Sequence, residues 1–485
     1  MALVGPPPLL DRSPLAVLME DLREERRARV PFPPGETRFS LPRTRRFAEQ
    51  PLEMLLESYE RFGPVFTLRL LHSNIVFMLG PAANHYILVS HAADFQWREG
   101  SFRDLIGLMG DGLLTIDGDF HRRSRRIMLP AFHRQNIAGS IETIREESER
   151  AIDKLEPGST VDLYDWTRHL AMRVALRALF GLDPDSGRAR EIDAATLFEE
   201  ALAFYASDYL LRVFRGKRSP WGRMQAAARK LDVLIYAEIA ERRASGRRGS
   251  DILSLLLDAA DEDGNRLSDR QIRDEVMTLL FAGHDTTTST VSFMFYELAR
   301  QPQIAQRLRA EQAELLSDRG ASAAQLLGGE LPQLEMVIDE TLRKYPPAWV
   351  GPRRTLRDIE FEGVPIPGRA FVNYSSWASH HLPDVWPEPE QFRPERFAPE
   401  AKAALEKGAY VPFGGGSRTC IGMRFGQLEV RTIATMLLAA RTLALPDDFR
   451  LTIRQMPTIS PKEGLPMRIG AAAGSDAKPL AAAAR

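Results

Sequence analysis

The longest helical pattern in the chain runs from Ser268 to about Arg300, and it sets the scale of the fold. Ser268 and Gln271 have the spacing of a capping box, which fixes its start. Roughly 32 residues of α-helix measure roughly 48 Å, enough to cross a whole molecule of this size. The middle of this helix breaks the rules of helix propensity: in Phe281-Ala-Gly-His-Asp-Thr-Thr-Thr-Ser-Thr290, Gly283 is followed by a hydroxyl-rich, β-branched run. Ser and Thr can return a hydrogen bond to the preceding turn. A local rule broken in the centre of so long a rod nevertheless points to function.

Around the rod, helical patterns dominate. Apolar residues recur at three- and four-residue spacing in 52–62, 137–155, 166–180, 189–208, 223–242 and 251–260. Strand signals are fewer: 65–70, 75–79, 359–364, and 370–372 after the turn-former Pro367-Gly368. The expected fold is mainly α with small β-sheets, in one large domain over residues 35–470. An N-terminal arm (1–34), rich in Pro and then charged, reads as loose, and a Gly/Ala tail (471–485) reads as disordered.

With 64 basic and 65 acidic residues in 485, no strongly basic face is available for nucleic acid. No apolar run reaches the length of a membrane span, and the N-terminus lacks the pattern of a signal peptide, so a cytoplasmic protein without a membrane anchor is expected. The one cysteine, Cys420, excludes a disulfide framework and Cys-rich metal sites.

That cysteine lies in Phe413-Gly-Gly-Gly-Ser-Arg-Thr-Cys-Ile-Gly422. Gly414, Gly415 and Gly416 let the backbone turn tightly and approach a flat ligand. An amphipathic pattern starts at Ile421, so Cys420 sits at a helix N-terminus, with Arg418 two residues before it; both favour a thiolate. A single stabilised thiolate suits a metal that needs one protein bond, and haem iron fits that description.

The ten residues from Phe413 have the form F-G-G-x-x-R-x-C-x-G, which resembles the haem-binding loop of the cytochrome P-450 superfamily of haem-thiolate monooxygenases. The resemblance implies haem b (iron protoporphyrin IX) under a long central helix, with Cys420 as the iron ligand. Phe413 then shields the sulfur, Arg418 pairs a haem propionate, and Gly422 allows close packing on the porphyrin. The central helix is similar to the family's in its acid–alcohol pair: Asp285 and Thr286 relay protons to dioxygen, while Ala282 and Gly283 leave it room. His284, one position off, is expected to point towards neighbouring helices.

Glu340-Thr-Leu-Arg343 ends a helix stopped by Pro346 and Pro347. E-x-x-R alone is common here, as in Glu20/Arg23 or Glu142/Arg145, but this copy is followed some fifty residues later by Phe392-Arg-Pro-Glu-Arg-Phe397. By the resemblance Arg396 closes a structural Glu340–Arg343–Arg396 cluster behind the thiolate loop. His121 and Arg125 share a helix face at i and i+4. Together with Arg353 and His380 they resemble the family's propionate-binding positions.

The resemblance covers about 35–470 and implies hydroxylation or epoxidation of a hydrophobic small molecule with dioxygen. No flavin or nicotinamide fingerprint is visible, so electrons are expected from a ferredoxin or flavodoxin and its reductase. Arg122, Arg123, Arg126 and Arg424 make a candidate docking patch. Apolar residues around Leu279–Ala282 and in the 95–114 loop (Phe102, Leu105, Ile106, Leu108, Met109, Leu114) suit an apolar substrate. Two alternatives are a peroxide-using or isomerising enzyme of the same fold, against which Asp285-Thr286 argues, and a non-catalytic haem-binding sensor.

Overall fold

The computed structural model describes residues 14–472 except 192, 207–215, 248, 250, 263, 317–319 and 457. Most of the expected tail (473–485), the first thirteen residues and the end of the 189–208 helix pattern lie outside the described residues.

The central helix spans Asp269–Arg300, and its capping box is formed: Ser268 Oγ accepts the Gln271 N–H while Gln271 Oε1 accepts the Ser268 N–H. Three hydroxyls satisfy themselves on the preceding turn, Thr286 on the Ala282 carbonyl (2.6 Å), Thr288 on His284 (2.8 Å) and Thr290 on Thr286 (2.9 Å). The poor helix formers are thereby accommodated. Most of this helix is buried, because other helices surround it, among them Leu163–Val174, Pro220–Ser245, Pro332–Lys344 and Met423–Ala440.

A six-stranded mixed sheet stands beside this helical body, in the order Gly35–Glu36, Val65–Leu70, Ser73–Met78, Phe371–Tyr374, Gly351–Thr355, Phe95–Gln96. Its apolar face packs Phe66, Leu68 and Phe77 against Leu55, Phe293 and Trp349. The expected strand 359–364 is instead a hairpin, Ile359–Phe361 against Val364–Ile366. Glu362 and Gly363 take positive φ (51° and 78°), the two-residue turn that the alternation of apolar residues concealed.

The N-terminal segment is not loose where it is described. Helix Pro14–Arg26 lies on the sheet, with Asp21 buried between Arg103 and Arg354 (2.5 and 2.8 Å) and Glu25 holding Arg69 and Asn74 (2.8 and 3.0 Å). Charged residues read along the chain suggested solvation; across the fold they meet opposite charges.

Candidate active site

The thiol loop is built by its glycines. Gly414 and Gly416 have φ of +68° and +59°, and a Cβ on Gly416 would stand 2.1 Å from the Leu88 carbonyl oxygen, so only glycine fits there. The Cys420 N–H closes the loop on the Phe413 carbonyl at 2.9 Å. The following helix begins at Met423, with Gly422 as its cap, two residues later than the sequence pattern placed it. The thiol of Cys420 is accessible, though set deep among protein atoms. Burial pushes its pKa up; the Gly422 N–H and the Arg125 guanidinium pull it back towards the thiolate.

The central helix presents one strip that is not fully buried: Phe281, Ala282, Gly283 and Thr286. Ala282 and Gly283 share a helix face with Thr286, four and three residues before it. A Cβ on Gly283 would meet only Leu179 Cδ1, at 3.7 Å, and one on Gly422 would meet no atom within 4 Å. Both glycines therefore border open space. The two helices that carry them are joined where Thr287 Oγ1 donates to Glu429 Oε2 at 3.0 Å.

At one edge of this site, three arginines and a histidine converge. His121 and Arg125 come from helix Gly118–Met128, Arg353 from the sheet and Arg418 from the thiol loop. Burial pushes His121 down to about 3, helped by the charges of Arg418, Arg125 and Arg353. Burial pushes Arg418 down to about 10; Arg353 and Arg125 repel it further and Asp117 opposes them. Like charges gathered at partial burial disfavour one another unless an anion joins them. A ligand bearing carboxylates fits that edge, and a flat one fits between the glycines.

His380, expected at that edge, is elsewhere. Its Nδ1 donates to the Arg343 carbonyl (3.2 Å) and its Nε2 accepts the Val411 N–H (3.0 Å), so both ring nitrogens are taken by backbone. Its ring packs edge-on to Trp386 and tilted against Tyr410. The propionate reading of His380 is thus corrected: it braces the segment entering the thiol loop.

That brace belongs to the Glu340 cluster. Arg343 and Glu340 are fully buried and paired twice (2.8 and 2.9 Å). Arg343 also donates to the carbonyls of His380 and Pro389, while Glu340 takes the Arg393 N–H at 2.8 Å. Arg396 stands 3.5 Å from Glu340. The three charges foreseen as a cluster are brought together.

The acid–alcohol pair differs in its surroundings. Thr286 lies on the open strip, whereas Asp285, one residue earlier, is buried. There Thr458 donates to Asp285 Oδ2 at 3.4 Å, and Oδ1 has no hydrogen-bond partner. Burial pushes the Asp285 pKa up, opposed by Arg168 and Arg454. His284 points into the neighbouring helices, with Nε2 3.1 Å from the Arg168 carbonyl and its ring edge-on to Phe198.

Sequence reasoning missed Asp117. Its carboxylate takes the N–H groups of Trp97 and Arg98 (both 2.8 Å) and pairs with Arg418. Standing just before a helix, it reads along the chain as a cap, yet its side chain makes no capping bond. The turn at Thr458–Ile459, expected to line the substrate pocket, instead brings Thr458 to Asp285; Arg168 and Glu429 were missed, since nothing local marks a residue that meets the central helix from far along the chain.

A family model described as cytochrome P450 matches residues 30–463. A putative cytochrome P450 139 of Mycobacterium tuberculosis is 30% identical over 86% of this chain and 97% of its own length. The cyclooctat-9-en-7-ol 5-monooxygenase of Streptomyces melanosporofaciens is 36% identical over 67% of this chain and 70% of its own. Among solved structures, a cyanobacterial CYP120A1 with bound retinoic acid superimposes with a TM-score of 0.82 at 27% identity, covering 91% of this chain and 99% of that one. An accessible lone thiol in a glycine loop, a notched central helix and a pocket of cations now agree with those matches along nearly the whole chain: it belongs to the cytochrome P450 family, the haem-thiolate monooxygenases.

Proposed function

We propose that this enzyme uses dioxygen to hydroxylate or epoxidise an apolar small molecule, with electrons supplied by a separate ferredoxin or flavodoxin and its reductase. The observation that carries the reading is the accessible Cys420 thiol beside a central helix whose open strip ends in the Thr286 hydroxyl. The fitting cofactor is haem b: Cys420 would be its iron ligand, Phe413, Ala282, Gly283 and Gly422 would make room for the porphyrin, and His121, Arg125, Arg353 and Arg418 would hold its carboxylates. When bound, that group supplies oxygen activation at a thiolate-ligated iron.

The chain's own residues then have definable tasks. The Gly422 N–H and Arg125 stabilise the sulfur as an anion. Thr286 donates to the Ala282 carbonyl, which leaves its oxygen free to accept from water. Burial raises the Asp285 pKa, and this carboxyl is assigned to the relay that passes protons forward to that hydroxyl by way of water. The apolar side chains of Phe102, Ile106, Leu114 and Leu279 exclude water from the substrate end. An apolar substrate agrees with the cyclooctatenol and retinoic acid in the names of the two relatives, both largely hydrocarbon.

For the redox partner, the exposed Arg122, Arg123, Arg126 and Arg424 form the docking face. The first three each have a carboxylate near them, namely Asp119, Asp261 (3.6 Å) and Glu262 (3.9 Å). An acidic partner competes with these weak surface pairs, so association should slow with added salt.

The test is optical. Reduced protein under carbon monoxide should show the red-shifted Soret band of a thiolate-ligated haem, and Cys420→Ser should abolish it. A histidine-type band in the unaltered protein contradicts the ligand assignment. For the relay, Thr286→Ala should divert reducing equivalents to peroxide during turnover; unchanged coupling rejects that role.

A further inference from the structure

Three consecutive charged residues of the central helix, Arg273, Asp274 and Glu275, are buried and grip one loop. Arg273 donates to the Leu108 carbonyl (3.2 Å), Asp274 Oδ2 accepts the Asp111 N–H (3.0 Å), and Glu275 Oε2 accepts the Leu113 N–H (2.9 Å). Glycines bring the loop this close. A Cβ on Gly110 would stand 2.3 Å from Asp274 Oδ1, and one on Gly112 would stand 2.0 Å from Thr278 Oγ1. Downstream, the same segment runs to Ile116 and Asp117, both of which hold Arg418. Upstream lie the apolar residues Leu105–Met109. The grip therefore sits between the apolar wall and the cation pocket.

The charges around this grip are balanced, with one exception. Arg273 pairs with Asp232 of helix Pro220–Ser245 (2.6 Å) and with Asp274 (2.9 Å). From the loop side Asp111 pairs with Arg98 (2.8 Å) and Arg270 (3.5 Å), and Arg270 lies 3.9 Å from Asp274. Glu275 is 1% exposed, and the charge that acts on it is that of Asp274, of the same sign. Its carboxyl meets an N–H donor and no described cation.

We propose that Glu275 is a pH-sensitive latch on loop 108–113, a positioning residue that controls how readily bulky molecules pass that loop. What passes rests on the monooxygenase reading of the cleft; the latch itself does not. Burial pushes the closed-state carboxyl up to about 8, from an ordinary value of 4.5. When the loop lifts and water reaches the group, the ordinary value returns. The closed state therefore keeps a proton that the open state has lost, from about pH 4.5 to about 8. Closure weakens as pH rises through that window and changes no further above it. Each pH unit shifts the equilibrium by up to about tenfold. Asp274, whose pKa burial also raises, has Arg273 to oppose the shift. The arginines do not titrate in this range.

The decisive measurement is hydrogen exchange in peptides covering 105–117 of the haem-loaded protein, corrected for intrinsic rates, from pH 5.5 to 9. Protection should fall by about fiftyfold between pH 6 and 8 and then level. Glu275→Gln keeps an acceptor for Leu113 and should flatten the profile. Gly112→Ala should lose protection at every pH, since its Cβ has no room. In the ferric protein, the association rate of 4-phenylimidazole relative to that of imidazole should rise over the same interval and stay constant in Glu275→Gln. A flat exchange profile in the unaltered protein overturns the proposal, as does an unchanged slope in Glu275→Gln or an azole ratio indifferent to pH. If Glu275→Gln does not fold, the unaltered protein's profile decides alone. Exchange requires no turnover, so a failed carbon monoxide test leaves this result standing.

Discussion

At the scale of single residues, what a side chain does here depends on which of its polar atoms are already engaged. Cys420 was legible because its loop surrounds it in sequence: the glycines, Arg418 and the following helix are all within a few positions. His380 was not, because the groups that take its two nitrogens, the Arg343 carbonyl and the Val411 N–H, are distant along the chain. With both nitrogens occupied, His380→Ala leaves a buried N–H without an acceptor, at a cost of about 1–3 kcal/mol. The expected result is a lower urea midpoint and faster haem loss, with carboxylate contacts to the haem, read by vibrational spectroscopy, unchanged. Asp117→Asn should act the other way round. Removing the one carboxylate set against Arg418 leaves three cations in mutual repulsion, so anions should bind the haem-free protein more tightly while the fold persists. A weaker affinity for inorganic phosphate than in the unaltered protein counts against the cation pocket.

At the scale of elements, periodicity revealed the helices well because burial of one face is a local pattern, and the central helix began at the predicted cap. The N-terminal helix was harder to read. Its second half is mostly charged, and the reason it docks lies in Arg103 and Arg354, far along the chain. Both guanidiniums also lie over the Phe371 ring, Arg354 at 4.5 Å and Arg103 at 5.7 Å. Asp21 is held ionised by them against the upward pull of burial, and its pKa is lowered. Asp21→Ala thus strands the buried Arg354 without its partner. The expected loss is about 3 kcal/mol in urea unfolding. A second readout separates this from a generic surface effect: Arg103 lies in the loop that leads to Leu108, so exchange protection there should fall first. A loss below about 0.5 kcal/mol would place Asp21 among weak surface pairs.

At the scale of the whole molecule, buried titratable groups of opposite kinds set where along the pH axis the fold is strongest. His284, His380 and His381 are sunk in protein, and burial pushes each down to about 3 from 6.5. Glu275 and Glu429 are pushed up to about 8 from 4.5 by the same cause. Between pH 3 and 6.5 the unfolded chain binds protons on the imidazoles that the folded chain refuses. Their contribution is therefore complete above 6.5 and lost as pH falls towards 3. The carboxyls act in reverse: from 4.5 to 8 the folded chain keeps protons that the unfolded chain has released, so stability declines as pH rises and then stops declining. Between 4.5 and 6.5 the two sets oppose each other; from 6.5 to 8 only the carboxyls act. Urea unfolding should therefore show greatest stability near pH 6.5 and a decline towards pH 8, at most about 1.4 kcal/mol per pH unit for each carboxyl. Glu429→Gln, which keeps an acceptor for Thr287, should remove its share of that decline and leave the acid side unaltered. A stability curve still rising between pH 6.5 and 8 would mean that both carboxyls are ionised in the folded protein, each with a cation drawn close enough to offset its burial.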